Sequence, residues 1–113
     1  MIREHEAKKD IISQVKAEIA KSGKYKITRE DEVAAALNMS RRTLQQKLQE
    51  MNTTFLKILD TIQKELAVAY LESDATSNKE IAWILGYNDI SNFYRAFKRW
   101  TGLTPNEYRS TNG

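Results

Sequence analysis

The stretch IAWILGYNDISNFYRAFKRWTGLTPNEYR, Ile81 to Arg109, interleaves large apolar and cationic residues within one short segment. Phe93, Phe97 and Trp100 fall at i, i+4 and i+7, with Arg95, Lys98 and Arg99 between them. On a helix this places the aromatics on one stripe and the cations elsewhere, so one face is buried and another is offered outward. Just upstream, SNKE from Ser77 has the capping-box form and predicts a helix over about 78–85. Gly86 turns the chain, Asp89 caps a helix over about 90–100, and Gly102 stops it. TPNE from Thr104 then combines an N-cap, a proline at the first helical position and a glutamate three residues on, which predicts a short last helix.

The rest of the chain reads the same way. One proline and four glycines in 113 residues, with no sustained period-two alternation, predict an all-α fold. A first helix over about 6–22 turns Ile11, Ile12, Val15 and Ile19 inward and ends at Ser22-Gly23. TRED from Thr28 opens a helix over about 30–37, and Asn38-Met39-Ser40 forms a tight turn with Ser40 as the next N-cap. The third helix, about 41–51, carries Leu44, Leu48 and Met51 on one stripe and breaks at Asn52-Thr53-Thr54. FLKILDTIQKELAVAYLES from Phe55 gives the longest run, about 55–72. Seven helices result.

Sliding the chain on itself by about 48 residues lays EVAAALNMS on EIAWILGYN, with Ala34 on Ala82, Leu37 on Leu85 and Asn38 on Gly86. One extra residue in the second turn then puts Leu44 on Phe93 and Leu48 on Phe97. In both copies an alanine sits four positions before a turn residue that favours positive φ, and a second helix follows at once. This is helix-turn-helix geometry: the alanine lets the second helix cross closely, and the turn residue reverses the chain. One such match is weak, because many helical hairpins share it. Two with the same apolar positions are much stronger.

These residues resemble the DNA-binding domain of the AraC/XylS family of bacterial transcription regulators. VAAALNMSRRTLQQKLQE carries the first motif and EIAWILGYNDISNFYRAFKRWTGLTPNEYR the second, with its Gly-aromatic pair, Phe-x-Arg-x-Phe-Lys, Gly-x-Thr-Pro and terminal Tyr-Arg. The resemblance runs from about residue 11 to 109. It implies two helix-turn-helix subdomains (about 6–53 and 73–109) joined by a long connecting helix (about 55–72), forming a single DNA-binding domain over 1–113. It further implies that both recognition helices enter DNA. The sequence departs from the family at Ile90, where many members carry glutamine, and at Tyr94, where a small hydroxyl residue is common. Asn52 replaces the usual glycine before Phe55 and can adopt the same conformation.

The residues themselves suggest the chemistry. Outward from the Leu44 stripe lie Arg41, Arg42, Gln45, Gln46 and Gln49, with no acid until Glu50. Arginine bonds guanine in bidentate fashion and glutamine bonds adenine, so Arg41, Arg42, Gln45 and Gln46 are expected to read bases, as are Ser91, Tyr94 and Arg95 on the sixth helix. Ser40, Gln49, Asn92, Lys98, Arg99 and Arg109 are expected at phosphates, with Arg109 equally able to pair with a glutamate. The competing reading of the third helix is a solvated face, and that of the capped N-termini at Thr28, Ser40, Ser77 and Thr104 is ordinary capping.

Composition narrows the rest. Eighteen Lys and Arg against fifteen acids give a net charge of +3 and a pI near 9.2, too mild alone to argue for nucleic acid. The absence of cysteine rules out disulfides and thiolate chemistry. No apolar run approaches the roughly 18 residues of a membrane span, and MIREHEAKKD is too polar for a signal peptide, so a cytoplasmic protein without membrane contact is expected. An enzyme is not: His5 is a lone histidine, and Glu30, Asp31, Asp60, Glu65 and Glu72 are expected on solvated faces, without metal-like spacing or a cofactor. A helical interaction module, with Glu18, Asp60 or Glu72 on its surface, is the alternative. RNA binding is a third option, disfavoured because Tyr94 is the one exposed aromatic platform expected. Double-stranded DNA is the expected partner, with RNA polymerase. A sensor and dimerisation domain joins them if the chain is the C-terminal half of a longer regulator, the preferred reading over a stand-alone one.

Overall fold

The computed structural model describes residues 4–21, 29–73 and 75–112. They form α1 (Glu4–Ala20), α2 (Glu30–Ala36), α3 (Arg41–Glu50), α4 (Phe55–Ser73), α5 (Asn78–Ile84), α6 (Ile90–Thr101) and α7 (Pro105–Asn112), with no strand among the described residues. The Ser22-Gly23 stop, the Thr28 cap and the His5 side chain lie outside the described residues.

α4 organises the molecule because its apolar residues serve two cores in succession. Phe55, Ile58, Leu59 and Ile62 join Ile11, Val15, Ile19, Val33, Ala34, Leu44 and Leu48 in one cluster. Ala67 and Leu71, two turns on, join Ile81, Ala82, Leu85, Phe93 and Phe97 in another. Leu66 packs against both. The molecule is elongated as a result, 47 × 26 × 21 Å. Ile12 and Met51, expected to face inward, are half-buried at the edge of the first core, as Trp100 is at the second.

The internal repeat holds at the level of backbone hydrogen bonds. Met39 N–H donates to the Ala34 carbonyl at 3.0 Å, and Tyr87 N–H donates to the Ala82 carbonyl at 2.9 Å. Asn38 (φ 61°) and Gly86 (φ 92°) supply the left-handed residue of each turn, a conformation that glycine and asparagine adopt most readily. Ala34 and Ala82 are buried where the helices cross. The correspondence continues past the recognition helices. Asn52 (φ 59°) ends the α3 segment as Gly102 (φ 83°) ends α6, and Thr54 caps Lys57 N–H at 3.2 Å as Thr104 caps Glu107 N–H at 3.1 Å.

Capping explains most helix starts. Ser40 accepts from Thr43 N–H, Ser77 from Glu80 N–H and Asp89 from Ser91 N–H. Thr104 and Glu107 form the full reciprocal box, with Thr104 N–H donating to Glu107 Oε1 at 2.8 Å. The N-cap position of α2 is Arg29, which makes no side-chain cap, and Asp31 Oδ1 accepts from Glu32 N–H at 3.0 Å.

Candidate nucleic-acid interface

α3 and α6 are the second helices of the two motifs, and each buries its apolar stripe: Leu44 and Leu48 on α3, Phe93, Ala96 and Phe97 on α6. Burial of one side fixes what the other side presents. On α3 that outward set is Arg41, Arg42, Gln45, Gln46 and Gln49, all exposed. Arg42, Gln46 and Gln49 make no side-chain hydrogen bond among the described residues and are free to meet a partner. Arg41 and Gln45 are engaged: Arg41 Nε and Gln45 Nε2 both donate to Glu30 Oε1, at 3.2 and 3.1 Å. Ser40, expected at a phosphate, has its hydroxyl occupied by Thr43, accepting from the backbone N–H at 3.0 Å and donating to Oγ1 at 2.9 Å.

On α6, Ser91, Asn92, Arg95, Lys98 and Arg99 are exposed. Asn92 Oδ1 accepts from Arg95 Nη2, so these two outward residues form one unit. Arg99 Nη2 donates to Asp60 Oδ1 of α4 at 3.0 Å, and Lys98 makes no ion pair among the described residues. Tyr94 corrects the outward placement expected of it. It is half-buried, packs on the second core with its ring centroid 6.0 Å from Phe93, and its hydroxyl lies 3.4 Å from Asn78 Nδ2. Folded this way, the ring buries apolar area against Phe93 while its hydroxyl keeps a polar neighbour in Asn78. Arg109, half-buried, donates to the Thr76 carbonyl at 2.6 Å and to Asn78 Oδ1 at 3.1 Å, tying α7 to the entry of α5.

Of the acids expected on solvated faces, Asp31 stays exposed while pairing with Arg29 at 3.3 Å, and two are part-buried as well as partnered. Glu30 and Asp60 carry side-chain exposures of 18% and 27% because each lies under an arginine from the next layer. Among the described residues the exposed aromatic is Trp83 on α5, at 65%, rather than Tyr94. The Glu107 carboxyl is held below its usual range, first by the Thr104 backbone N–H, then by the Thr104 hydroxyl, with the Lys98 charge adding to both against a small desolvation. Burial pushes the Tyr87 hydroxyl up. No group of three potential metal ligands occurs among the described residues, and no helix there is long and apolar enough to cross a membrane.

Two motifs with superposable turns, each presenting an uncovered polar helix face, form a double helix-turn-helix. A family model described as a helix-turn-helix domain matches residues 33–111, which covers both. The chain belongs to the AraC/XylS family of DNA-binding transcription regulators. It is 43% identical over 79 residues to the ornithine utilization regulator of Pseudomonas aeruginosa, a match covering 70% of the chain and 23% of that protein. Among solved structures it resembles the C-terminal domain of AraT, a response regulator from Geobacillus stearothermophilus, with a TM-score of 0.80 and 32% identity over 89% of the chain and 84% of that domain. It also resembles the transcriptional regulator CdpR of Pseudomonas aeruginosa, with a TM-score of 0.71 and 34% identity over 75% of the chain and 27% of CdpR. The chain thus spans about a quarter of the length of the ornithine utilization regulator and of CdpR.

Proposed function

We propose that the chain binds duplex DNA as a monomer, with α3 and α6 in successive major-groove segments on one face of the helix, and thereby regulates transcription in the bacterial cytoplasm. The observation that carries this reading is the shared helix. α4 has 19 residues, roughly 28 Å at the α-helical rise, and its two ends serve two separate cores. With the radii of the two units added, the recognition helices approach the ~34 Å of one DNA turn. One chain then does what a helix-turn-helix dimer does, on an asymmetric or directly repeated site. The subdomain limits adopted are about 6–53 and about 73–109, with about 55–72 between them.

In this reading Arg42 and Gln46, with Arg41 and Gln45, read bases from α3, and Gln49 and Ser40 lie at phosphates. Ser91 and Arg95 read from α6, and Asn92, Lys98, Arg99 and Arg109 anchor the backbone. The first motif supplies most discrimination because its face is polar and rich in bidentate groups. The second supplies most anchoring, and Arg99 exchanges Asp60 for phosphate. Ile90 offers an apolar contact to a thymine methyl. The chain acts without catalysis or cofactor, and its further partners are RNA polymerase and, where it forms the C-terminal half of a longer regulator, a sensor or dimerisation domain; the greater length of the relatives supports the second.

Hydroxyl-radical footprinting on a duplex selected from a random library tests the docking mode. Two protected blocks separated by about one helical turn are expected. A single block would show that only one motif engages.

A further inference from the structure

Glu30 opens α2 with its side chain only 18% exposed, set into the angle between α2 and α3. Its Oε1 accepts from Arg41 Nε at 3.2 Å and from Gln45 Nε2 at 3.1 Å. A carboxylate paired with a guanidinium offers acceptors only. It therefore decides which end of the Gln45 amide faces it: the NH2 end, with one N–H used. The second N–H and the Oε1 remain for a partner in front of the helix. Donor beside acceptor in that order is what the N7 and N6 amino group of adenine require.

The same oxygen acts on Arg41. Bonding through Nε leaves the two terminal amino groups of the guanidinium facing away from Glu30, an end-on fork that suits guanine or phosphate. Without the acid, the Gln45 amide turns about its last torsion, which is broad and nearly two-fold. It would then present its oxygen to a cytosine amino group as readily as its pair of groups to adenine.

We propose that Glu30 is a positioning residue that determines specificity: by holding Arg41 and Gln45 through one carboxylate oxygen, it fixes the amide orientation in which Gln45 selects adenine. This rests on the reading of α3 as a recognition helix. Glu30 touches no base itself, and its action passes entirely through two side chains of the next helix.

The test compares Glu30→Ala and Glu30→Gln with wild type on a duplex selected from a random library, on its single-base variants and on a scrambled duplex. Both substitutions leave Gln45 free to turn, because a glutamine at position 30 donates as well as accepts. Discrimination at the position read by Gln45 is expected to fall about ten-fold, while affinity for the scrambled duplex stays the same or rises. In a Gln45→Ala background, Glu30→Ala should cause no further loss of discrimination at that position. Unchanged discrimination in both variants would overturn the proposal. So would an equal loss on every duplex, which is what a merely structural acid gives. If the wild-type chain bound no duplex at all, the reading of α3 would fall first and this inference with it.

Discussion

Gln63, in the middle of α4, donates its amide N–H to the carbonyl of Leu85 in the turn of the second motif at 3.0 Å. Its Oε1 accepts from the Tyr87 hydroxyl at 3.0 Å, two residues further along the same turn. At 1% exposure Gln63 is the buried polar side chain among the described residues, and both ends of its amide are satisfied by the turn it holds. With Asp60 and Arg99 one turn away, the second motif is fastened to the connecting helix by polar bonds as well as packing.

Replacing Gln63 by Leu keeps the volume and strands the Leu85 carbonyl and the Tyr87 hydroxyl. The expected cost is about 1–3 kcal/mol, from buried groups left unsatisfied. Both tryptophans, Trp83 and Trp100, lie in the second half of the chain, so urea unfolding followed by tryptophan fluorescence reads the affected part. A midpoint equal to wild type would mean the amide contributes nothing.

Stability should depend on pH at both extremes. Burial holds the Tyr87 hydroxyl above its usual 10.0, with the Arg99 charge opposing and the Asp60 charge reinforcing. A folded pKa above the unfolded one gives a contribution that is complete below about pH 10 and lost as pH rises through the folded value. Tyr87→Phe should therefore flatten the alkaline limb of the stability profile. Glu107 has the opposite sign: its folded pKa lies below 4.5, so its contribution is present above that value and lost as pH falls through the folded one. Glu107→Gln should flatten the acid limb. Melting temperatures across pH check both, and limbs as steep as in wild type would contradict the assignments.

Phe97 is fully buried and meets Trp100 and Tyr108 edge-on, at centroid distances of 6.2 and 5.7 Å. Phe97→Ala should cost about 3–5 kcal/mol through the cavity it leaves. The loss should appear first in tryptophan fluorescence, while the first core, which shares no residue with this cluster except the partly buried Leu66, responds less. Coincident loss of both halves would show that α4 transmits the damage in full.

Much of this was legible in the sequence, for local reasons. The turn residues Asn38 and Gly86, the close-crossing alanines and the aromatic stripe of α6 each follow from constraints within a few neighbours along the chain. The missing parts lie between helices. Glu30 meets Arg41 and Gln45 across 11 and 15 residues, and Asp60 meets Arg99 across 39. Helical periodicity pairs residues three or four apart and says nothing about such distances. Gln63 is one polar residue within the long run of α4, and only the packing of the second motif shows that it is buried. Tyr94 failed for a related reason: its position on the wheel is outward, but its ring reaches back to Phe93.

The two recognition helices should fail differently. Arg42→Ala or Gln46→Ala should cost about 1–3 kcal/mol on the preferred duplex and relax one or two base positions. Lys98→Ala should weaken binding to all sequences alike, as loss of a phosphate contact does. Competition titrations with matched and scrambled duplexes separate the two patterns. A greater loss of specificity from Arg95→Ala than from Arg42→Ala would give the leading role to α6.

The most direct test of DNA binding by this chain is the salt dependence of its affinity for a selected duplex. Neutralising several phosphates releases counterions, so affinity should fall about ten-fold or more between roughly 50 and 200 mM salt, with log affinity linear in log salt. An affinity independent of salt over that range would contradict duplex binding through the basic faces of α3 and α6.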